Sequence, residues 1–72
     1  MSVKTKLGEN IKNLRIRRHM NTRLVAELSG IAPSVLTDIE KGTTRDPRLF
    51  TVINIARALE TTLSVLLEGE TR

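Results

Sequence analysis

Seventy-two residues with twelve Lys or Arg, eight Asp or Glu and a net charge of +4 allow one domain with one small core, a size that buries only about 60% of the unfolded surface. The absence of cysteine excludes disulfides and thiolate metal sites, and with Phe50 as its single aromatic residue the core has to be built from aliphatic side chains. No apolar run approaches the roughly 20 residues of a membrane span and the N-terminus lacks the apolar stretch of a signal peptide, so the expectation is a soluble cytoplasmic protein with no membrane partner.

The charge is unevenly spread. Residues 1–25 hold seven Lys or Arg against one Glu, whereas residues 26–72 hold five against seven acidic residues. A basic face of this kind attracts a polyanion by steering and counterion release; a merely solubilising surface is the alternative that charge leaves open.

In chain order, Leu7, Ile11 and Leu14 recur at spacings of four and three and predict a first helix between Lys6 and Arg18, with His19 at its end. Asn21 is a good N-cap for a second helix in which Val25 and Leu28 face inward, and Gly30 is its stop. Pro33 opens a third helix that buries Leu36 and Ile39 and ends at Gly42. Asp46-Pro47 repeats the start signal, and Leu49, Val52, Ile53, Ala56 and Leu59 then form the clearest amphipathic stripe. Thr62 caps a last helix in which Leu63, Leu66 and Leu67 face inward before Gly69. Strand-type alternation and internal repeats are missing from the sequence, so the predicted fold is all-α, five helices in a single domain over 1–72 with its core in 6–68.

The stretch from Asn21 to Gly42 carries the functional signal. Two helices of about two turns each, joined by Ser29-Gly30-Ile31-Ala32, make the helix-turn-helix pattern. In such a pair the first helix crosses the phosphate backbone and the second presents its N-terminal turn to base edges.

Leu7-Gly8, Ile11, Leu14-Arg15, Ala26-Glu27, Gly30-Ile31, Ser34, Ile39-Glu40-Lys41-Gly42, Pro47, Ile55-Ala56-Arg57-Ala58-Leu59 and Leu66-Leu67 together resemble the lambda-repressor-like (Xre) family of helix-turn-helix proteins from Leu7 to Leu67. The resemblance implies a structural ion pair between Arg15 and Glu40. It implies phosphate contacts from Asn21, Thr22, Arg23, Lys41, Thr44, Arg45 and Arg48, with a loop, Arg45-Asp46-Pro47-Arg48, one residue longer than the commonest family spacing and similar to that of certain lambdoid phage repressors.

It also implies base reading by the exposed positions of the third helix, Pro33, Ser34, Val35, Thr37 and Asp38, and here the chain departs from the family. Bidentate readout of guanine or adenine needs Arg, Lys, Asn or Gln. Ser34 and Thr37 offer hydroxyls, Val35 suits a thymine methyl and Asp38 can accept from cytosine N4, with duplex shape supplying the remainder. Three further departures are Thr22 in place of Gln, Ala32 in place of a Ser cap and Glu60 in place of the Gly that ends the fourth helix; a lost cap costs about 0.5–2 kcal/mol.

Phe50 and Val65 stand where the family more often has polar residues. Either they form a two-fold dimer interface or they complete a core poor in aromatics. The implied function is a duplex DNA-binding transcriptional regulator, most simply a dimeric repressor on an inverted-repeat operator. The competing function is a protein-interaction module of the same fold with little base-specific reading. Catalysis and metal binding have no support in the sequence, because His19 is alone and there is no His/Cys cluster.

Overall fold

The computed structural model describes residues 6–44 and 46–69. They form α1 (Lys6–Arg17), α2 (Thr22–Ser29), α3 (Pro33–Lys41), α4 (Leu49–Ala58) and α5 (Leu63–Leu66), with no strand among the described residues. α1 packs on α3, α2 packs on α3 and α4, and α5 closes the bundle against α1 and α4. The predicted all-α, five-helix fold is the observed one.

Each helix buries one stripe. Ile11, Val25, Ala26, Leu36, Ile55, Leu59 and Leu66 are completely buried and Ile39 nearly so. Leu14, Met20, Ile31, Ala58 and Leu63 pack around this centre half-buried. Burial of each large aliphatic side chain is worth about 1.5–3 kcal/mol, which is how a chain with one aromatic residue holds together.

Three predicted stripes need correction. In α2, Leu28 is 57% exposed and the inward residues are Val25, Ala26 and Ser29. At about 100° per residue these three share an arc of roughly 100°, and Leu28 falls well outside it. In α4 the stripe is Val52, Ile55, Ala56 and Leu59; Ile53 is only half-buried and Leu49 is exposed, standing on the first turn ahead of the core. In the last helix Leu66 alone is fully buried, Leu63 is half-buried, and Leu67 is exposed just past the helix end.

The start of α4 also differs from expectation. Asp46 and Pro47 lie in the preceding loop, and the N-cap is Arg48, whose side chain makes no capping bond. Arg48 is extended (φ −62°, ψ 142°), so the first helical bond runs from Val52 N to Arg48 O at 3.1 Å.

Helix ends are closed by left-handed residues. His19 (φ 56°) follows α1, its N–H donating to Ile16 O and that of Met20 to Arg15 O. Glu60 (φ 53°) follows α4 in the same way, with Glu60 N to Arg57 O and Thr61 N to Ala56 O. Both are the paired bonds of a Schellman ending made without glycine. Gly8 has a different role: a Cβ there would lie 2.8 Å from Glu40 O and closer still to Ile39 O, so its missing side chain sets how near α1 approaches α3.

Candidate nucleic-acid interface

The interface is built outward from the turn between α2 and α3. Asn21 caps α2, its Oδ1 accepting from Leu24 N at 2.8 Å, which leaves its side-chain Nδ2 directed to no partner among the described residues. At the other end Gly30 takes φ 73° and ψ 27°; its N–H donates to Glu27 O, and Ile31 N–H donates to Ala26 O at 3.0 Å. Ile31 then turns back toward the core. α3 begins on Ala32, which has no side-chain cap, followed by Pro33 at the first helical position, where a missing N–H costs nothing.

α3 is sharply two-sided. Leu36, Ile39 and Glu40 are buried, whereas Pro33, Ser34, Val35, Asp38 and Lys41 are exposed. Thr37, half-buried, lies on the wall of an open cleft with Thr22 and Lys41. The five residues expected to read bases therefore share one helix, four exposed and one at the margin toward α1 and α2.

The inner side of α3 is fixed by charge. Arg15 Nε donates to Glu40 Oε2 at 2.8 Å and Nη2 to Oε1 at 3.1 Å, and Nη1 donates to Met20 O at 3.0 Å. The pair is only 13% and 7% exposed, so the end of α3 is bolted to α1 through a fork-to-fork contact with directional as well as electrostatic strength.

Of the expected phosphate donors, Arg23, Lys41 and Arg48 are exposed, and Thr22 and Thr44 are half-buried. Thr44 N–H donates to Asp38 O at 3.2 Å, which folds the loop back beside α3. Arg45 lies outside the described residues. Phe50, on the first turn of α4, is 75% exposed and Val65 on α5 is exposed too; the core closes without either.

Two long-range contacts, those of Asn10 and of Glu60, were not legible in the sequence. Asn10 on α1 donates from Nδ2 to Leu66 O at 2.9 Å and to Glu68 O at 2.7 Å, so it serves carbonyls at the end of α5 from across the chain, and no local spacing announces that. The Glu60 carbonyl accepts from Arg18 Nη2 at 3.4 Å and its carboxylate lies 3.9 Å from Arg18 Nη1, tying the end of α4 to the end of α1. No group of three or more His, Cys, Asp or Glu among the described residues could hold a metal ion, and no described helix is long and apolar enough to cross a membrane.

The helix-turn-helix family HTH_3 matches residues 11–66. Among solved structures the chain is similar to the restriction-modification controller protein C.AhdI from Aeromonas hydrophila, with 27% identity and a TM-score of 0.81, covering 86% of this chain and 92% of that one. It is similar to an HTH_3 family transcriptional regulator from Vibrio cholerae at 29% identity and a TM-score of 0.82, covering 92% of this chain and 36% of that longer one. It is also similar to SinR, the master regulator for biofilm formation, in complex with DNA, at 26% identity and a TM-score of 0.82, covering 86% and 98%. Among curated proteins none matches. With 56 consecutive residues inside the family pattern and the whole five-helix arrangement reproduced, the chain belongs to the HTH_3, lambda-repressor-like family of helix-turn-helix proteins.

Proposed function

We propose that the chain is a sequence-specific, duplex DNA-binding transcriptional regulator, acting in the cytoplasm as a dimeric repressor on an inverted-repeat operator. The observation that carries this reading is the two-sidedness of α3: its rear is locked by Leu36, Ile39 and the Arg15–Glu40 pair while its N-terminal turn stands free in solvent. A helix held this way can enter a major groove without losing order on binding.

In that pose Ser34 and Thr37 hydrogen-bond to base edges, Pro33 and Val35 make apolar contact that suits a thymine methyl, and Asp38 accepts from cytosine N4. Asn21, through its uncommitted Nδ2, with Thr22, Arg23, Lys41, Thr44, Arg45 and Arg48, grips the phosphates on either side and sets register. Two of the structural neighbours support the reading, one as a restriction-modification controller and one as a regulator solved with DNA. Phe50 and Val65 supply apolar surface for a two-fold interface, which would set the α3 helices about one DNA turn apart. Repression is then steric: a dimer seated on its operator occludes a promoter.

A second reading, a protein-interaction module, is favoured by one observation: the exposed face of α3 carries no Arg, Asn or Gln, and its one Lys stands at the far end. Selection from a random pool of DNA duplexes at near-physiological salt separates the two. Enrichment of an inverted repeat supports the dimeric operator binder. Weak, salt-sensitive binding without enrichment overturns it and leaves the interaction module.

A further inference from the structure

We propose that α1 belongs to the interface too, with Lys12 clamping a phosphate of the bound duplex; the inference rests on the DNA-binding reading above. α1 presents Gly8 and Arg15 to α3, and Lys12, four residues after the one and three before the other, lies on the same face. It is exposed. There it lines an open cleft of about 510 Å³ together with Thr22 from the start of α2 and Thr37 and Lys41 from α3.

The charges of this cleft do not cancel. Lys12, Arg15 and Lys41 line it against two carboxylates, Glu40, which Arg15 engages, and Glu9, which lies 3.8 Å from the exposed Lys6. Lys12 and Lys41 make no ion pair among the described residues. Two ammonium groups and two hydroxyl-bearing side chains on the wall of one open cleft supply a donor set that suits a phosphodiester oxygen. The cleft adjoins the residues assigned to the duplex, because Thr22, Thr37 and Lys41 are common to both. A backbone running past the start of α2 therefore meets Lys12 from the neighbouring helix. Lys12 carries no sequence information there; it contributes position and charge.

The test is the salt dependence of affinity for the selected duplex, measured for the full chain and for Lys12→Gln, Lys12→Arg and Arg57→Gln. Arg57 removes the same charge from a different cleft, at the ends of α1, α2 and α4. Lys12→Gln is expected to flatten the plot of log affinity against log salt by about one unit, so that its deficit shrinks about 3.5-fold between 50 and 200 mM salt, uniformly over sequences. Lys12→Arg should restore the slope and Arg57→Gln should leave it unchanged. Equal slopes for Lys12→Gln and Arg57→Gln overturn the inference while leaving the DNA reading standing; no salt-sensitive binding by the parent chain overturns that reading itself. Inorganic phosphate titrated into the free protein, followed by amide shifts at Thr22 and Thr37, should produce no saturable change. Saturation there would identify a free-anion pocket and overturn the assignment to the duplex.

Discussion

Arg15 and Glu40 meet through two parallel hydrogen bonds, 2.8 and 3.1 Å long, across 25 residues of sequence. Because the guanidinium also holds Met20 O at 3.0 Å, one side chain ties the end of α1 to the end of α3. Glu40→Ala strands a cation that is only 13% exposed, and the expected cost is about 3–5 kcal/mol, a large share of the stability of so small a domain. An Arg15→Met, Glu40→Leu double variant leaves no stranded charge and should cost much less than the two single changes added together. Urea unfolding of the four proteins gives the cycle; additive losses would mean that the pair is not coupled.

Gly8 tests whether close approach or helix propensity governs α1. Alanine in a helix is better than glycine by about 1 kcal/mol, so propensity alone predicts that Gly8→Ala stabilises. The added methyl, however, would lie within 2.8 Å of the backbone of α3, and backbone cannot swing aside as a side chain can; overpacking of this kind costs about 1–3 kcal/mol. A net loss of up to about 2 kcal/mol in chemical denaturation is expected. A raised midpoint would show that α1 and α3 can separate freely.

Helix number, order and approximate ends were legible in the sequence because caps and stops act locally: Asn21, Gly30, Pro33, Gly42 and Thr62 all stand where spacing put them. The inward faces were less legible. Val25 to Leu28 is an acceptable helical spacing, yet Ala26 and Ser29 face the core and Leu28 does not, since short helices offer too few turns for periodicity to fix the phase. Ser29, expected in the linking turn, is instead the last residue of α2, and its Oγ is buried without a hydrogen-bond partner among the described residues. Asn10 and Glu60 act through partners 42 to 58 residues away, which no local pattern encodes. At the candidate interface, the resemblance supplied Arg15 and Glu40, and the fold brought Lys12 beside Thr22 and Thr37.

Glu60 occupies left-handed backbone (φ 53°), which costs a side chain bearing a Cβ roughly 1–2 kcal/mol. Its compensation is the contact with Arg18, but the carboxylate is largely exposed and 3.9 Å away, and exposed pairs are worth at most about 1 kcal/mol. The hydrogen bond from Arg18 to the Glu60 carbonyl does not need the side chain. Glu60→Gly should therefore stabilise by about 0.5–1 kcal/mol, after allowing for the extra freedom of glycine in the unfolded chain. Thermal unfolding at low and high salt checks both halves of the argument: a destabilised variant at low salt whose deficit vanishes at high salt would place the ion pair above the backbone strain.

Asn21 has two roles that substitution can separate. Its Oδ1 caps α2 through Leu24 N at 2.8 Å, whereas its Nδ2 is the part proposed to meet a phosphate. Asn21→Ala removes both, and should cost about 0.5–2 kcal/mol of stability together with duplex affinity. Asn21→Asp keeps an acceptor for Leu24 N and adds a negative charge that suits a helix N-terminus, so the fold should be as stable as the parent or slightly more so. The same charge faces the phosphate with no donor, and affinity should fall on the order of tenfold or more, as expected when a hydrogen bond to a charged group is lost. Unfolding midpoint and duplex affinity measured on the same two samples decide it. If Asn21→Asp binds duplex as the parent does, Asn21 is a cap only, and the phosphate grip at the start of α2 passes to Thr22 and Arg23.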